Sequence, residues 1–215
     1  MNNELLKRIL STVILMPFII LIIIKGSFYF SLLLIISVFI AIFEWHEMTK
    51  KNWYNYIGIL FLLFSFYTIY KIRNSFDNEY FHLLLITLVC IATDVGGFLF
   101  GKLIKGPKIT KISPNKTYAG MVGSFLLPII LFYVLSENIY IKYSYNLNSK
   151  IIIFIILVSA VSQIGDLIIS YFKRISKVKD TGKIIPGHGG LLDRIDGMIF
   201  AFPFSYLIMT TNNIN

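Results

Sequence analysis

A single cysteine, Cys90, stands in 215 residues. One thiol excludes an internal disulfide framework and any CxxC zinc site. Charge is also scarce: 14% of residues are Asp, Glu, Lys or Arg, against about 25% in an ordinary soluble domain. Only eleven residues are acidic, so a carboxylate inside an apolar stretch stands out. Only three are histidine, and Cys/His ligands in zinc spacing are absent. What fills the chain is hydrophobic, 56% of residues, with a mean hydropathy of +0.75. A soluble fold of this size could not hide so much apolar surface. The apolar residues fall in runs near the roughly 17–25 residues that cross a bilayer. The composition therefore predicts an all-α, polytopic integral membrane protein.

About seven spans are expected, at 9–24, 27–43, 53–70, 80–100, 119–136, 151–172 and 197–209. The first resembles a signal peptide, with Lys7 and Arg8 ahead of it, but no small-residue cleavage site follows, so it is expected to be retained, with a bend at Pro17. Trp53, Tyr54, Tyr67 and Tyr70 flank the third run, where amphipathic rings prefer to sit. Gly120 and Gly123 permit close helix approach in the fifth, which leaves room for a homodimer. The last run is short and contains Pro203.

The formal net charge is +9, and its distribution decides its meaning. Segments 1–12, 44–52, 101–118 and 173–196 carry 15 Lys+Arg, and the alternating segments carry 5. That bias predicts a cytoplasmic N-terminus by the positive-inside rule. The same rule explains the basic loops without a nucleic-acid partner.

Asp94 and Asp166 lie inside apolar runs, 8 and 7 residues before Lys102 and Lys173. At about 1.5 Å rise per residue, both sit roughly 10 Å below the cytoplasmic mouth, on spans expected to run the same way. A charge inside a bilayer costs at least about 2.5–3.5 kcal/mol, so such residues usually serve function. The bland alternative is an Asp neutralised by a polar neighbour. Oxygen ligands beside a phosphate-binding loop suit Mg²⁺.

Two loops supply the anion-binding side. Residues 101–117 hold five lysines and the run Ser113-Pro114-Asn115-Lys116-Thr117 just before a helix start, where backbone N–H groups favour anions. On charge alone this is equally a basic inside loop. Residues 170–196 are harder to explain blandly. They hold six Lys+Arg and the run Pro186-Gly187-His188-Gly189-Gly190, followed by Asp193-Arg194-Ile195-Asp196. Glycines around one histidine permit close backbone approach to a ligand. Asp193 and Asp196 share a helical face at i and i+3, although capping a helix start would also explain them.

The pattern Ser170-x-Phe172-Lys173-Arg174, Lys179-Asp180-x-Gly182, Ile185-Pro186-x-His188-Gly189-Gly190-Leu191-x-Asp193-Arg194-Ile195-Asp196 resembles the signature of the phosphatidate cytidylyltransferase (CDP-diglyceride synthase) family. Further likeness lies in Asp94-Val95-Gly96-Gly97-Phe98, Gly101-Lys102, Ser113 to Thr117 and, more weakly, Glu44-Trp45. Two positions depart from the family pattern: Phe98 replaces a usual Tyr, and Ala119 a usual Glu. The resemblance implies an Mg²⁺-dependent nucleotidyltransferase of phospholipid biosynthesis, using CTP and phosphatidate, with room for a second cation. It implies metal binding by Asp166 and Asp193, with Asp94 and Asp196 as further candidates. Lys173, Arg174, Arg194, Lys116 and His188 would act on the phosphates. Ser113, Asn115, Thr117, Lys179, Gly189 and Gly190 would bind substrate. Residues 1–75 would form an amino-terminal helix set and 76–215 the catalytic part, in a bacterial inner membrane with its site facing the cytoplasm. Two other classes compete: an ion-coupled transporter, which also uses intramembrane carboxylates, and another CTP- or lipid-phosphate enzyme such as a polyprenol kinase.

Overall fold

The computed structural model describes residues 17–50, 52–75, 80–109, 113, 116–143, 149–184 and 189–212, without the side chains of 136–143. Eight helices follow in order: α1 (residues 17–25), α2 (Ser27–Thr49), α3 (Tyr54–Ser75), α4 (Phe81–Leu103), α5 (Tyr118–Tyr143), α6 (Ser149–Ile175), the single turn α7 (Leu192–Ile195) and α8 (Met198–Asn212). Among the described residues there is no strand; Lys108 and Thr117 form an isolated bridge. Helix is what apolar runs must form, because a helix satisfies every backbone polar group within the segment.

Five helices, α2 to α6, are long and apolar enough to cross a membrane. Of the other two expected spans, only the last is described in full, and it falls below the length of a crossing helix. Helix α8 has 15 residues and contains Pro203, and the first run is described only from Pro17 onward.

Most helices outrun their hydropathy limits. Helix α2 continues to Thr49, through Glu44 to Glu47, which composition places in a loop. It continues because that end is packed. Trp45 and Met48 are buried, Trp45 Nε1 donates to Asn55 O at 3.0 Å, and the Trp45 ring stands edge-on to Phe172 of α6 at 5.0 Å. The chain breaks between α1 and α2 at Gly26, whose φ of 63° suits glycine. Arg73 seals the break. Its Nε donates to Ile23 O at 2.9 Å and its Nη2 to Ile24 O at 3.4 Å. The positive-inside count treats Arg73 as a loop charge, yet it is buried as a cap on carbonyls that end a helix.

Helix α4 is the hub, touching α3, α5, α6 and α8. Its longest contact is with α5, through a glycine seam. A Cβ on Gly96 would strike Gly123 O, and one on Gly120 would stand 2.6 Å from Gly97 O. The close approach expected from Gly120 and Gly123 is therefore made within one chain. Gly96→Ala should push the helices apart and destabilise the fold by about 1–3 kcal/mol, the usual range for overpacking. The check is a lower thermal midpoint of the purified protein in detergent.

Candidate functional site

Asp94 and Asp166 each lie nine residues before the last residue of their helices, α4 and α6. At about 1.5 Å per residue both stand about 14 Å from those ends, and both line one cavity of about 340 Å³. Asp193 and Asp196 line the same cavity, carried in by α7 and the residue after it. So do Ser113, Lys116 and Thr117 from the 104–117 loop. Phe98 and Met121 contribute apolar surface.

Local hydrogen bonding shapes that loop. Ile109 N donates to Lys116 O at 2.9 Å and Tyr118 N to Pro107 O at 3.2 Å, closing a small clasp. Gly106, at φ 115°, makes the reversal. Thr117 Oγ1 accepts from Gly120 N at 3.1 Å and so starts α5. The clasp holds Lys116 against Asp166, where Nζ pairs with Oδ2. Ser170 Oγ donates to the other oxygen, Oδ1, at 3.2 Å. Asp196 is hydrogen-bonded to Asp166, and both Asp166 and Asp94 act on it by charge. Lys116, Arg194 and Asp166 act on Asp94 in the same way.

Asp193 is held differently. Oδ1 accepts from Lys173 Nζ at 2.8 Å. Oδ2 accepts from Thr181 N at 2.8 Å, Thr181 Oγ1 at 3.0 Å and Gly190 N at 3.0 Å. Burial would raise its pKa, but Lys173 and the N–H groups of Gly190 and Thr181 outweigh that and hold the carboxyl below its usual range. Asp196 goes the other way. Burial pushes it well above the ordinary value, and the charges of Asp166 and Asp94 push further.

The remaining predicted residues separate. Arg174 is exposed and does not line this cavity. Lys179 lines a second depression with Asp180, Gly182 and Lys183. Gly189 and Gly190 also lie off the main cavity, and the close approach they permit is to the protein's own groups. A Cβ on Gly189 would stand 2.8 Å from Asp193 Oδ2, and one on Gly190 2.6 Å from Glu44 Oε2. His188 and Asn115 lie outside the described residues.

Three participants escape sequence reasoning. Thr181 donates to Asp193. Gln163 lines the cavity with a buried Nε2 that has no partner among the described residues. Its position one turn before Asp166 is the signal that could have found it. Glu44, 1% exposed, accepts from Leu191 N and Leu192 N. The weak Glu44-Trp45 likeness points there without saying what the carboxylate does.

A bundle with five helices long and apolar enough to cross a membrane thus gathers four carboxylates and Lys116 in one cavity. The sequence profile of the cytidylyltransferase family matches residues 6–76 and 57–212. The phosphatidate cytidylyltransferase of Rickettsia bellii is 32% identical over 213 residues, covering 96% of this chain and 91% of that protein. The Rickettsia felis protein of the same name is 34% identical, covering 94% and 90%. That of Staphylococcus saprophyticus is 36% identical over 173 residues, 76% of this chain and 64% of that one. The chain belongs to the cytidylyltransferase family.

The pKa directions set two opposite expectations. Asp193, depressed in the fold, contributes stability that is complete above the ordinary carboxylate pKa of about 3.9 and is lost as pH falls through its lower folded value. Lys173→Met removes its main support, so acid unfolding should begin at a higher pH than in the parent. Asp196, raised in the fold, opposes folding at neutral pH. Asp196→Asn should therefore raise the thermal midpoint at about pH 7–8 in chelator-treated buffer, measured beside the parent protein.

Proposed function

We propose that this chain transfers the cytidylyl group of CTP to phosphatidate, giving CDP-diacylglycerol and pyrophosphate. The observation that carries this reading is the cavity itself. Four carboxylates and Lys116 line it toward one end of helices able to cross a membrane. A lipid headgroup phosphate and a water-soluble nucleotide can meet at such an end. Each is anionic, and their approach requires charge neutralisation.

One oxygen of the lipid phosphate attacks the α-phosphorus of CTP in line. The new P–O bond forms as the bond to pyrophosphate breaks, and pyrophosphate leaves with the electron pair. Phosphatidate is itself the nucleophile, so no covalent enzyme intermediate is needed. Lys116 and Lys173 already stand at the acidic cluster. Their ammonium groups are placed to meet phosphate oxygens, with Ser113 and Thr117 donating from the clasp. Arg174, Arg194 and His188 belong to the same basic set.

Among the described residues no group of three or more Asp, Glu, His or Cys stands close enough together to hold a metal ion, and Asp166 and Asp193 are each paired with a lysine. The donors at the cavity are nevertheless oxygen-only and acidic, the chemistry that Mg²⁺ takes. Asp166 and Asp193 would hold the ion once those lysines turn to substrate phosphate, with Asp94 and Asp196 as further ligands. Bound there, it would supply charge neutralisation to the reacting phosphates, and a second cation would draw on the same acidic set. The loop-charge bias supports an N-terminus and a site on the cytoplasmic side of a bacterial inner membrane, with about seven spans in all. A transporter would place such carboxylates near the bilayer midplane. Asp94 and Asp166 stand only two and four residues past the midpoints of α4 and α6. What favours the transferase is therefore that Asp193 and Asp196 join them from beyond the end of α6, and that the cluster is paired with Lys116 and Lys173.

Purified protein in detergent micelles, given labelled CTP, phosphatidate and Mg²⁺, should release CDP-diacylglycerol. Asp166→Asn and Asp193→Asn should each reduce turnover by at least about a hundredfold, in the range seen when a group stabilising transition-state charge is removed. Chelation should abolish activity and added Mg²⁺ restore it. A correctly folded parent protein that makes no CDP-diacylglycerol would sink the reading.

A further inference from the structure

Outside the cavity, one buried charge has no part in the chemistry above. Glu44 lies near the end of α2, in the amino-terminal helix set, and is 1% exposed. Burying a carboxylate is costly unless its oxygens are satisfied. They are satisfied by one segment remote in sequence. Oε1 accepts from Leu191 N at 2.9 Å. Oε2 accepts from Leu192 N at 2.8 Å and from Thr181 Oγ1 at 3.2 Å. Gly182 and Gly190 lie flat against the carboxylate, where a Cβ on either would collide with it.

Thr181 joins this carboxylate to the site. Its hydroxyl lies 3.2 Å from Glu44 Oε2 and 3.0 Å from Asp193 Oδ2, while its N–H donates to Asp193. A hydroxyl has one proton to donate, so the two carboxylates share it and a shift of one is felt by the other. Asp193 in turn holds Lys173. Packing alone does not call for a charge here, since Trp45 already ties α2 to α3 and α6. What a carboxylate adds is a pair of acceptors for two consecutive N–H groups immediately before Asp193.

We infer that Glu44 is a positioning residue, latching Thr181 and residues 190–193 so that Asp193, with Lys173 paired to it, stands at the cavity. The inference rests on the cytidylyl-transfer reading for its kinetic consequence, but not for its structural one. Two measurements on the full-length protein in detergent therefore test it, on Glu44→Gln, Thr181→Val, the double variant, and Thr49→Val as a control that breaks a different buried bond at the same helix end, Thr49 Oγ1 to Trp45 O. Glutamine keeps the shape but turns an NH₂ toward one of the donors it faces. Orphaning a buried donor should lower kcat by about 10–100-fold. Lys116, Ser113 and Thr117 lie on a loop that Glu44 does not touch, so KM for CTP should stay within about threefold. Thr181→Val should add less in the Glu44→Gln background than alone, because the two share partners. By hydrogen exchange, Glu44→Gln should deprotect the amides of Thr181 and residues 190–193 while α4 and α6 stay protected. Thr49→Val, whatever it costs in overall stability, should leave kcat and the exchange of those amides as in the parent.

Unchanged exchange in Glu44→Gln overturns the latch. Parental kcat, or an equal kcat loss in Thr49→Val, overturns its role in positioning. If the folded parent shows no cytidylyl transfer, the functional reading falls, and exchange alone then decides the latch.

Discussion

Like charges gathered in an apolar bundle repel one another, and the arrangement of this protein follows from how that repulsion is met. Asp94, Asp166, Asp193 and Asp196 line one cavity. Lys116 crosses from the α4–α5 loop to Asp166, and Lys173 reaches from α6 to Asp193 just past the next loop. Each pair joins segments that hydrophobic packing alone would leave loosely related. Removing one partner of the more buried pair, Lys173–Asp193, strands the other, a loss that reaches about 3–5 kcal/mol for fully buried pairs, whereas Lys116–Asp166, with both side chains about a quarter exposed, is worth less. The charges thus fix the two polar loops over the helix ends, and the loops complete the site.

Backbone donors share the work with the lysines. Asp193 takes N–H groups from Thr181 and Gly190, and Glu44 takes those of Leu191 and Leu192. Gly182, Gly189 and Gly190 lie against these carboxylates, where a side chain would occupy the space of an oxygen. The glycine-rich run beside His188 therefore has work inside the protein as well as any toward a ligand. In family terms, a signature can record how a loop is folded as much as what it binds.

Much of this is legible in the amino-acid order alone. Counting residues from Lys102 and Lys173 places Asp94 and Asp166 at one depth, because helical rise is regular and the bilayer sets a common frame. Charge does not single out Lys116 among the five lysines of its loop, but its place in the Ser113 to Thr117 run before a helix start does. The illegible parts are long-range. Glu44 meets Thr181 and Leu192 across 137 and 148 residues, and a hydropathy window reads its charge only as the end of a span. Arg73 counts among the loop charges because nothing local shows that α1 ends beneath it. Hydropathy ends α2 too early, at Glu44, because polar residues continue a helix when tertiary partners are waiting.

The glycine seam between α4 and α5 bears on how the cavity can adapt. Gly97 and Gly120 border it directly, and behind them main chain meets main chain. Side chains can change rotamer to fit a guest, but packed backbone cannot. The α4–α5 side of the cavity is therefore fixed, and any adjustment to a bulkier or thinner occupant falls to side chains and to the short segment that carries Asp193 and Asp196.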